Sequence, residues 1–477
     1  MEDYDFDVAI LGAGTAGMSA YREATKYTDR VALIDGGPLG TTCARVGCMP
    51  SKLLIAAADA KHAAGNAEIF GISTNQAEVY GRAVMQRVRN ERDRFVGFVH
   101  DAVDGFDKGE IIREFATFRD DHTLQLTSGR LLTARAIIIA TGSRPNIPPM
   151  LEAAGDRLIV NDDVFDWDGL PNSAAVFGAG VIGLELSQAL HRLDVRVELF
   201  GRDNFVGPLT DPDIRAYAAR TFADEFPAHW HADTRIERDG DQVIVYRADE
   251  TGEVSARFDY VLAATGRKAN VDRIGLENTS LVRDARGVPL YDPLSLRAGD
   301  SHIFVAGDAV GDLPLLHEAA DEGRLAGENA ARLPDAYRRA RRVPLGIVFS
   351  NPQIAMAGRS HGNLVAAGVP FETGTVSFED QGRARVMGIN KGCLHVYAEK
   401  GTGQVLGAEM IGPAAEHLGH LLAWSITDGI TVSQALERPF YHPVIEEGLR
   451  TALRDVNSKL GFGPNPPLRC IDCGPGA

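Results

Sequence analysis

Two glycine-rich hexads decide most of what this chain can fold into. Gly12-Ala13-Gly14-Thr15-Ala16-Gly17 follows the strand-like run Asp7 to Leu11 and opens a helical pattern through about Tyr27. A second apolar run, Val31 to Ile34, then ends at Asp35. The device returns at Gly178-Ala179-Gly180-Val181-Ile182-Gly183, between the run Ala174 to Phe177 and a helix that leads to Val195–Phe200. In a strand–turn–helix unit, Gly12, Gly14 and Gly17 permit a tight turn and close approach of a pyrophosphate to the helix N-terminus. The acid at the end of the second strand can hold a ribose hydroxyl pair. A single hexad is weak evidence, because a tight turn alone can require it. Two hexads, each between the right elements, predict two dinucleotide-binding units. Each half also closes alike, with Ala136 to Ala140 before Thr141-Gly142 and Val261 to Ala264 before Thr265-Gly266. The chain therefore reads as an approximate duplication of a dinucleotide-binding α/β fold.

At 477 residues the chain exceeds one core and suggests roughly three domains. A net charge of −16 argues against nucleic acid and anionic membrane partners. No apolar run reaches membrane-spanning length, and the acidic start Met1–Asp7 does not read as a signal peptide. Five cysteines in so long a chain make no disulfide scaffold, which points to the reducing cytoplasm. Cys393, standing alone, reads as a small core residue.

The expected organisation is 1–150 as a first nucleotide-binding domain, 151–270 as a second, and 271–342 as a segment returning to the first. A charged, helix-prone stretch from about Gln76 to Val103 would pack on the first domain. The return segment carries Ile303 to Ala306, a strand that stops at Gly307-Asp308. From Pro344 the pattern changes to short strands followed by helices at about Ala414–Asp428 and Val444–Val456, an α+β domain over 343–460. The Gly- and Pro-rich end, 461–477, reads as a flexible tail.

Just beyond the first hexad stand Cys43 and Cys48, with four residues between them, followed by Met49-Pro50-Ser51-Lys52. This is not zinc-knuckle spacing, which calls for two pairs of closer ligands. In a regular helix the two sulfurs would point to different faces. A disulfide needs Cα atoms within roughly 7 Å, so a redox pair here requires a distorted turn, which Gly47 eases. The bland alternative is two unconnected thiols.

These residues together resemble the FAD-dependent pyridine nucleotide–disulfide oxidoreductases, the family of dihydrolipoamide dehydrogenase, glutathione reductase, thioredoxin reductase and mercuric reductase. The resemblance spans about Asp5 to Leu460 and runs through both hexads, the cysteine pair, Gly307-Asp308 and His442-Pro443-Val444-Ile445-Glu446-Glu447. It implies that Gly12, Gly14, Gly17, Asp35, Thr141, Gly142, Gly307 and Asp308 hold FAD. Gly178, Gly180, Gly183 and Gly266 would serve the nicotinamide nucleotide. Cys48 would lie against the flavin, and Cys43 would exchange with substrate. Lys52 and Glu185 match a family ion pair near the flavin ring. His442, held by Glu447, would be the acid–base group, supplied by the partner subunit of a homodimer whose interface is the last domain. Beside that analogy stands a physical reason: exchange needs a thiolate, and a free cysteine near pH 7 is only a few per cent ionised. A histidine fixed by a carboxylate can take the proton. Pro443 is expected to start the helix that carries Glu447.

The Pro-Ser-Lys ending at Lys52 is closest to dihydrolipoamide dehydrogenases and mercuric reductases. The chain departs from the family at Ala44-Arg45 and at Phe440-Tyr441. The first reading is thus a dihydrolipoamide dehydrogenase-like enzyme acting on a small dithiol, disulfide or lipoyl-protein. A second is an NADPH-driven reductase of a bulkier disulfide that uses Cys470 and Cys473 in the tail as a thiol relay. Those cysteines could instead be idle, or scavenge metal. A third class is a flavoprotein redox sensor or thiol metal-binder. For the nicotinamide, Asp35 stands 18 positions after Gly17, and the same offset from Gly183 reaches Gly201, followed by Arg202. The acid that would repel a 2′-phosphate is missing and a guanidinium is adjacent, which favours NADP(H) over NAD(H). Glu198 and Asp203 nearby, and the NAD usage of dihydrolipoamide dehydrogenases, weigh the other way.

Overall fold

The computed structural model describes residues 4–74, 77–202, 205–231, 233–249 and 252–461. Its two nucleotide-binding units are built on the same backbone. Gly12 has φ +106° and Gly178 φ +108°, and a side chain at either would collide with the carbonyl oxygen of Ala140 or Ala264. Gly17 and Gly183 press equally close to Gly12 O and Gly178 O. Both hexads therefore tolerate no Cβ at these positions, and each feeds a helix, Thr15–Ala24 or Val181–Arg192.

The first sheet runs Glu110–Ile112, Val31–Ile34, Phe6–Leu11 and Leu131–Ile139 in parallel, with Ile303–Val305 returning from far along the chain to pair with Ile137–Ile139. Thr123–Leu126 and Ala116–Phe118 extend it antiparallel. Ile137, Ile138 and Ile139 are fully buried, as a central parallel strand covered on both faces must be. Helices Thr15–Ala24 and Leu316–Ala331 cover one face, so close that Gly323 and Gly327 abut Ala16 and Ala20 backbone.

The second sheet is parallel in the order Ala228–His229, Arg196–Phe200, Ser173–Phe177, Tyr260–Ala263, Leu158–Val160, with the antiparallel meander Thr234–Asp239, Gln242–Asp249, Gly252–Phe258 beside it. The chain crosses between the two sheets twice, and the crossings pair as Ser143–Pro145 with Arg267–Ala269. From residue 345 an antiparallel sheet, Leu345–Val348, Gln353–Gly358, Val405–Gly412, Cys393–Glu399, Phe371–Ser377, carries helices Ala415–Thr427 and Glu446–Leu460. The fold is thus mixed α/β, two Rossmann-like units with an α+β third unit.

Two local expectations shift. The charged helix begins at Gly81 and ends at Asp104. The last helix begins at Glu446, so Pro443 stands three residues before it rather than starting it. Glu447 is what closes that gap, because its carboxylate accepts a hydrogen bond from Val444 N at 3.2 Å.

Candidate active site

Gly14 and Gly180 are the N-caps of the two hexad helices and have ordinary extended backbone, φ −76° in both. Neither makes a side-chain cap, and a Cβ added at either would meet no protein atom within 4 Å. Free helix N–H groups facing open space fit a pyrophosphate. Asp35 accepts from Ala13 N and Gly37 N, both at 2.7 Å, which turns its carboxylate toward the first hexad. Asp308 accepts from Ser143 Oγ at 2.7 Å, and Arg267 Nε donates to the same Ser143 Oγ at 2.8 Å. The Thr-Gly turns meet where the chain crosses: Asn146 N donates to Gly266 O and Asn270 N to Gly142 O, both 2.9 Å. Thr141 Oγ1 is buried there and has no hydrogen-bond partner among the described residues. These residues fit a dinucleotide such as FAD lying along the first unit.

The cysteines flank a broken helix. Thr41–Val46 and Cys48–Gly65 are separate helices, interrupted at Gly47 (φ −128°, ψ −117°). Thr41, at φ +58°, holds left-handed backbone that a β-branched residue seldom adopts. Asn161 Nδ2 ties the turn down through Val46 O at 2.9 Å. The break brings Cys43 within reach of Cys48, and the two thiols are unequal. The Cys43 thiol donates a hydrogen bond to the Cys48 sulfur. That bond and the Lys52 charge outweigh burial and lower Cys48 to about 7. The same hydrogen bond and burial push the Cys43 thiol far up. Cys393, in contrast, is pushed up to about 12 by burial and packs beside the core of the second unit.

Lys52, one turn after Cys48, places Nζ 2.7 Å from Glu185 Oε2. Glu185 Oε1 accepts Phe349 N at 2.9 Å, and the Phe349 ring lies 4.7 Å from Lys52 Nζ. Phe349 escaped the sequence reading: it contributes a main-chain N–H, which leaves no mark on residue type.

His442 Nδ1 is 3.0 and 3.1 Å from the two oxygens of Glu447, which also accepts Arg450 Nη2 at 3.0 Å. A carboxylate can only accept, so Nδ1 is the donor, and in the neutral imidazole Nε2 then carries the lone pair. The carboxylate and Arg450 are buried while the imidazole is half exposed. Arg450 was legible in principle, since opposite charges three apart share a helix face. Among the described residues no hydrogen bond or ion pair joins His442 to Cys43 or Cys48 of the same chain. Arg202 is exposed. Cys470 and Cys473 lie outside the described residues. Among the described residues no helix is long and apolar enough to cross a membrane.

Comparison with known proteins agrees with this geometry. Residues 6–323 match the pyridine nucleotide-disulphide oxidoreductase family, and residues 345–453 match that family's dimerisation domain. The chain is 30% identical to a dihydrolipoyl dehydrogenase of Bacillus subtilis, over 86% of this chain and 89% of that protein. It is also 30% identical to a mercuric reductase of Streptomyces lividans, over 95% and 97%. The fold superposes with a TM-score of 0.78 on the HOCl-induced flavoprotein disulfide reductase RclA from Escherichia coli, at 21% identity, covering 94% of this chain and 99% of that one. The chain belongs to the pyridine nucleotide-disulphide oxidoreductases: it is an FAD-dependent oxidoreductase that uses a nicotinamide nucleotide and carries the family's dimerisation domain.

Proposed function

We propose that the enzyme moves electrons between a nicotinamide nucleotide and a small dithiol or disulfide of the dihydrolipoamide type through a Cys43–Cys48 disulfide. The supporting observation is the inequality of the two thiols, with an acidic Cys48 beside Lys52 and a Cys43 that holds its proton. Bound FAD supplies two-electron exchange between the nicotinamide and the thiol pair. In dithiol oxidation a substrate thiolate attacks Cys43 Sγ, the Cys43–Cys48 bond breaks, and Cys48 leaves as the thiolate its low pKa favours. The second substrate thiol then attacks the mixed disulfide, releasing oxidised substrate and Cys43. His442 Nε2 takes the substrate proton, and Glu447, itself held by Arg450, stabilises the imidazolium.

In this reading 1–150 and 271–342 bind FAD through Gly12, Gly14, Gly17, Asp35, Thr141, Gly142, Gly307 and Asp308. Residues 151–270 bind NADP(H) through Gly178, Gly180, Gly183, Gly266 and Arg202. Residues 343–460 form a homodimer in which His442 serves the partner's cysteines, in keeping with an exposed Cys48 and a half-exposed imidazole. The cytoplasm suits a thiol pair that must cycle. The tail sequence Arg469-Cys470-Ile471-Asp472-Cys473 favours a second reading, in which a terminal relay carries electrons to a bulkier disulfide.

Turnover with dihydrolipoamide, oxidised glutathione and small cyclic disulfides, each with both nicotinamides, tests the choice. Dihydrolipoamide is expected to lead. Inertness toward it, with brisk reduction of a bulky disulfide, would favour the relay.

A further inference from the structure

The second nucleotide-binding unit lacks the first one's ribose acid, and a particular side chain stands in that space. The backbones pair position for position. Gly12 N donates to Ile34 O and Gly178 N to Phe200 O, both at 2.8 Å, so Gly201 is the counterpart of Asp35. A Cβ at Gly201 would come within 3.1 Å of Trp230 Cε3 and 3.3 Å of Ala179 Cβ. A side chain at this position would press on both, so the indole or Ala179 would have to give by a few tenths of an ångström to admit it.

The placement of that ring is fixed by the sheet. Ala228–His229 pairs in parallel with Leu199 and Phe200, and Gly201 N donates to His229 O at 2.8 Å. Trp230 is the next residue, at the carboxyl edge where a parallel sheet of this kind receives its nucleotide. It is half-buried, packed against the core of the second unit. The nearby carboxylate of Glu198 is already engaged: it accepts from His229 Nε2 at 3.0 Å and is held below its ordinary range chiefly by that bond. Arg202, next to Gly201, is exposed and makes no ion pair among the described residues.

We infer that Trp230 is a specificity-determining residue of the nicotinamide-nucleotide site. Its indole occupies the space of a ribose-reading carboxylate and offers the adenine a flat apolar wall, leaving the ribose 2′ position to Arg202 and so to a 2′-phosphate. The inference rests on the reading of the second hexad as the nicotinamide site.

Binding of 2′,5′-ADP and of 5′-AMP to the FAD-loaded enzyme, followed by calorimetry and tryptophan emission, tests it without turnover. Wild type is expected to bind 2′,5′-ADP at least tenfold more tightly than 5′-AMP, with quenching. Arg202→Gln, at an exposed position, should remove most of that preference and leave 5′-AMP unchanged. Trp230→Leu should weaken both probes several-fold and abolish the quench. Gly201→Asp should weaken both probes in the native background, yet tighten 5′-AMP at least fivefold when added to Trp230→Ala, where the acid has room. Equal or tighter binding of 5′-AMP by wild type would overturn the inference and the NADP(H) preference, while leaving the second hexad as the nicotinamide site. A Gly201→Asp effect indifferent to Trp230 would overturn the inference alone. Binding of neither probe would overturn the nicotinamide reading of the second hexad, and the inference with it.

Discussion

Lys52 Nζ and Glu185 Oε2 lie 2.7 Å apart across 133 residues of sequence, joining the helix that starts at Cys48 to the helix that starts at Val181. Glu185 is almost wholly buried and its other oxygen is bound to Phe349 N, so all three structural units meet at one carboxylate. Removing Lys52 would leave that carboxylate without its countercharge.

Lys52→Met should therefore raise the Cys48 pKa above about 7, because one of the charges that lowers it is lost. Cys43→Ala should raise it more, since the Cys43 hydrogen bond is the larger cause. Cys48 becomes thiolate as pH rises through its pKa, so the pH profile of alkylation of the reduced enzyme by iodoacetamide should move to higher pH in both variants. A midpoint that stays put in Lys52→Met would contradict the assignment.

His442→Gln should slow dithiol exchange by about 10²–10⁴ while NAD(P)H still bleaches the bound FAD. Arg450→Met, which takes one donor from Glu447, should change the pH dependence of kcat by a smaller amount and in the same half-reaction. Stopped-flow separation of the two half-reactions checks both. Equal slowing of FAD reduction would show that the damage is structural.

A stability prediction concerns Asp211. Its carboxylate caps the helix Pro212–Glu225 through Asp213 N and Ile214 N, and accepts from His395 Nδ1 at 2.8 Å and Tyr397 O–H at 3.0 Å in the third unit. Burial pushes this carboxyl up, but the hydrogen bond and charge of His395 with the other donors outweigh it and hold it at about 2. A depressed carboxylate stabilises the fold above its unfolded pKa and loses that contribution as pH falls toward 2. A shift of this size is worth about 2–3 kcal/mol at neutral pH. Asp211→Asn should lower the thermal midpoint at pH 7 by several degrees and narrow its gap from wild type as the buffer is taken below pH 4. A gap that widens on acidification would contradict this sign.

For the tail, Cys470→Ser with Cys473→Ser should slow reduction of a bulky disulfide tenfold or more if the relay operates, and leave dihydrolipoamide turnover unchanged. Full activity with every disulfide tested would remove the relay and leave the dihydrolipoamide reading by itself.

What the sequence made legible was local. The hexads, the Thr-Gly turns and the break at Gly47 follow from residues within one turn of each other, and backbone constraint ties them to glycine. The Lys52–Glu185 pair was reachable only through resemblance, because no periodicity links residues so far apart. Phe349 N, Asn161 on Val46 O and the ring of Trp230 against Gly201 were not legible, since each is a tertiary contact whose residue type has many bland uses. By sequence Pro443 resembles a helix opener, whereas Glu447 reaching back to Val444 N defers the first helical residue to Glu446.

The proposed active site draws Cys43 and Cys48 from one subunit and His442 from the other. Mixing inactive His442→Ala chains with inactive Cys48→Ser chains tests it most directly. In a random population about half the dimers are mixed, and each mixed dimer rebuilds one of its two sites, so about a quarter of wild-type dithiol turnover should return. Turnover that stays at the level of the unmixed variants, with subunit exchange verified by mass, would contradict the shared site and return His442 to its own chain.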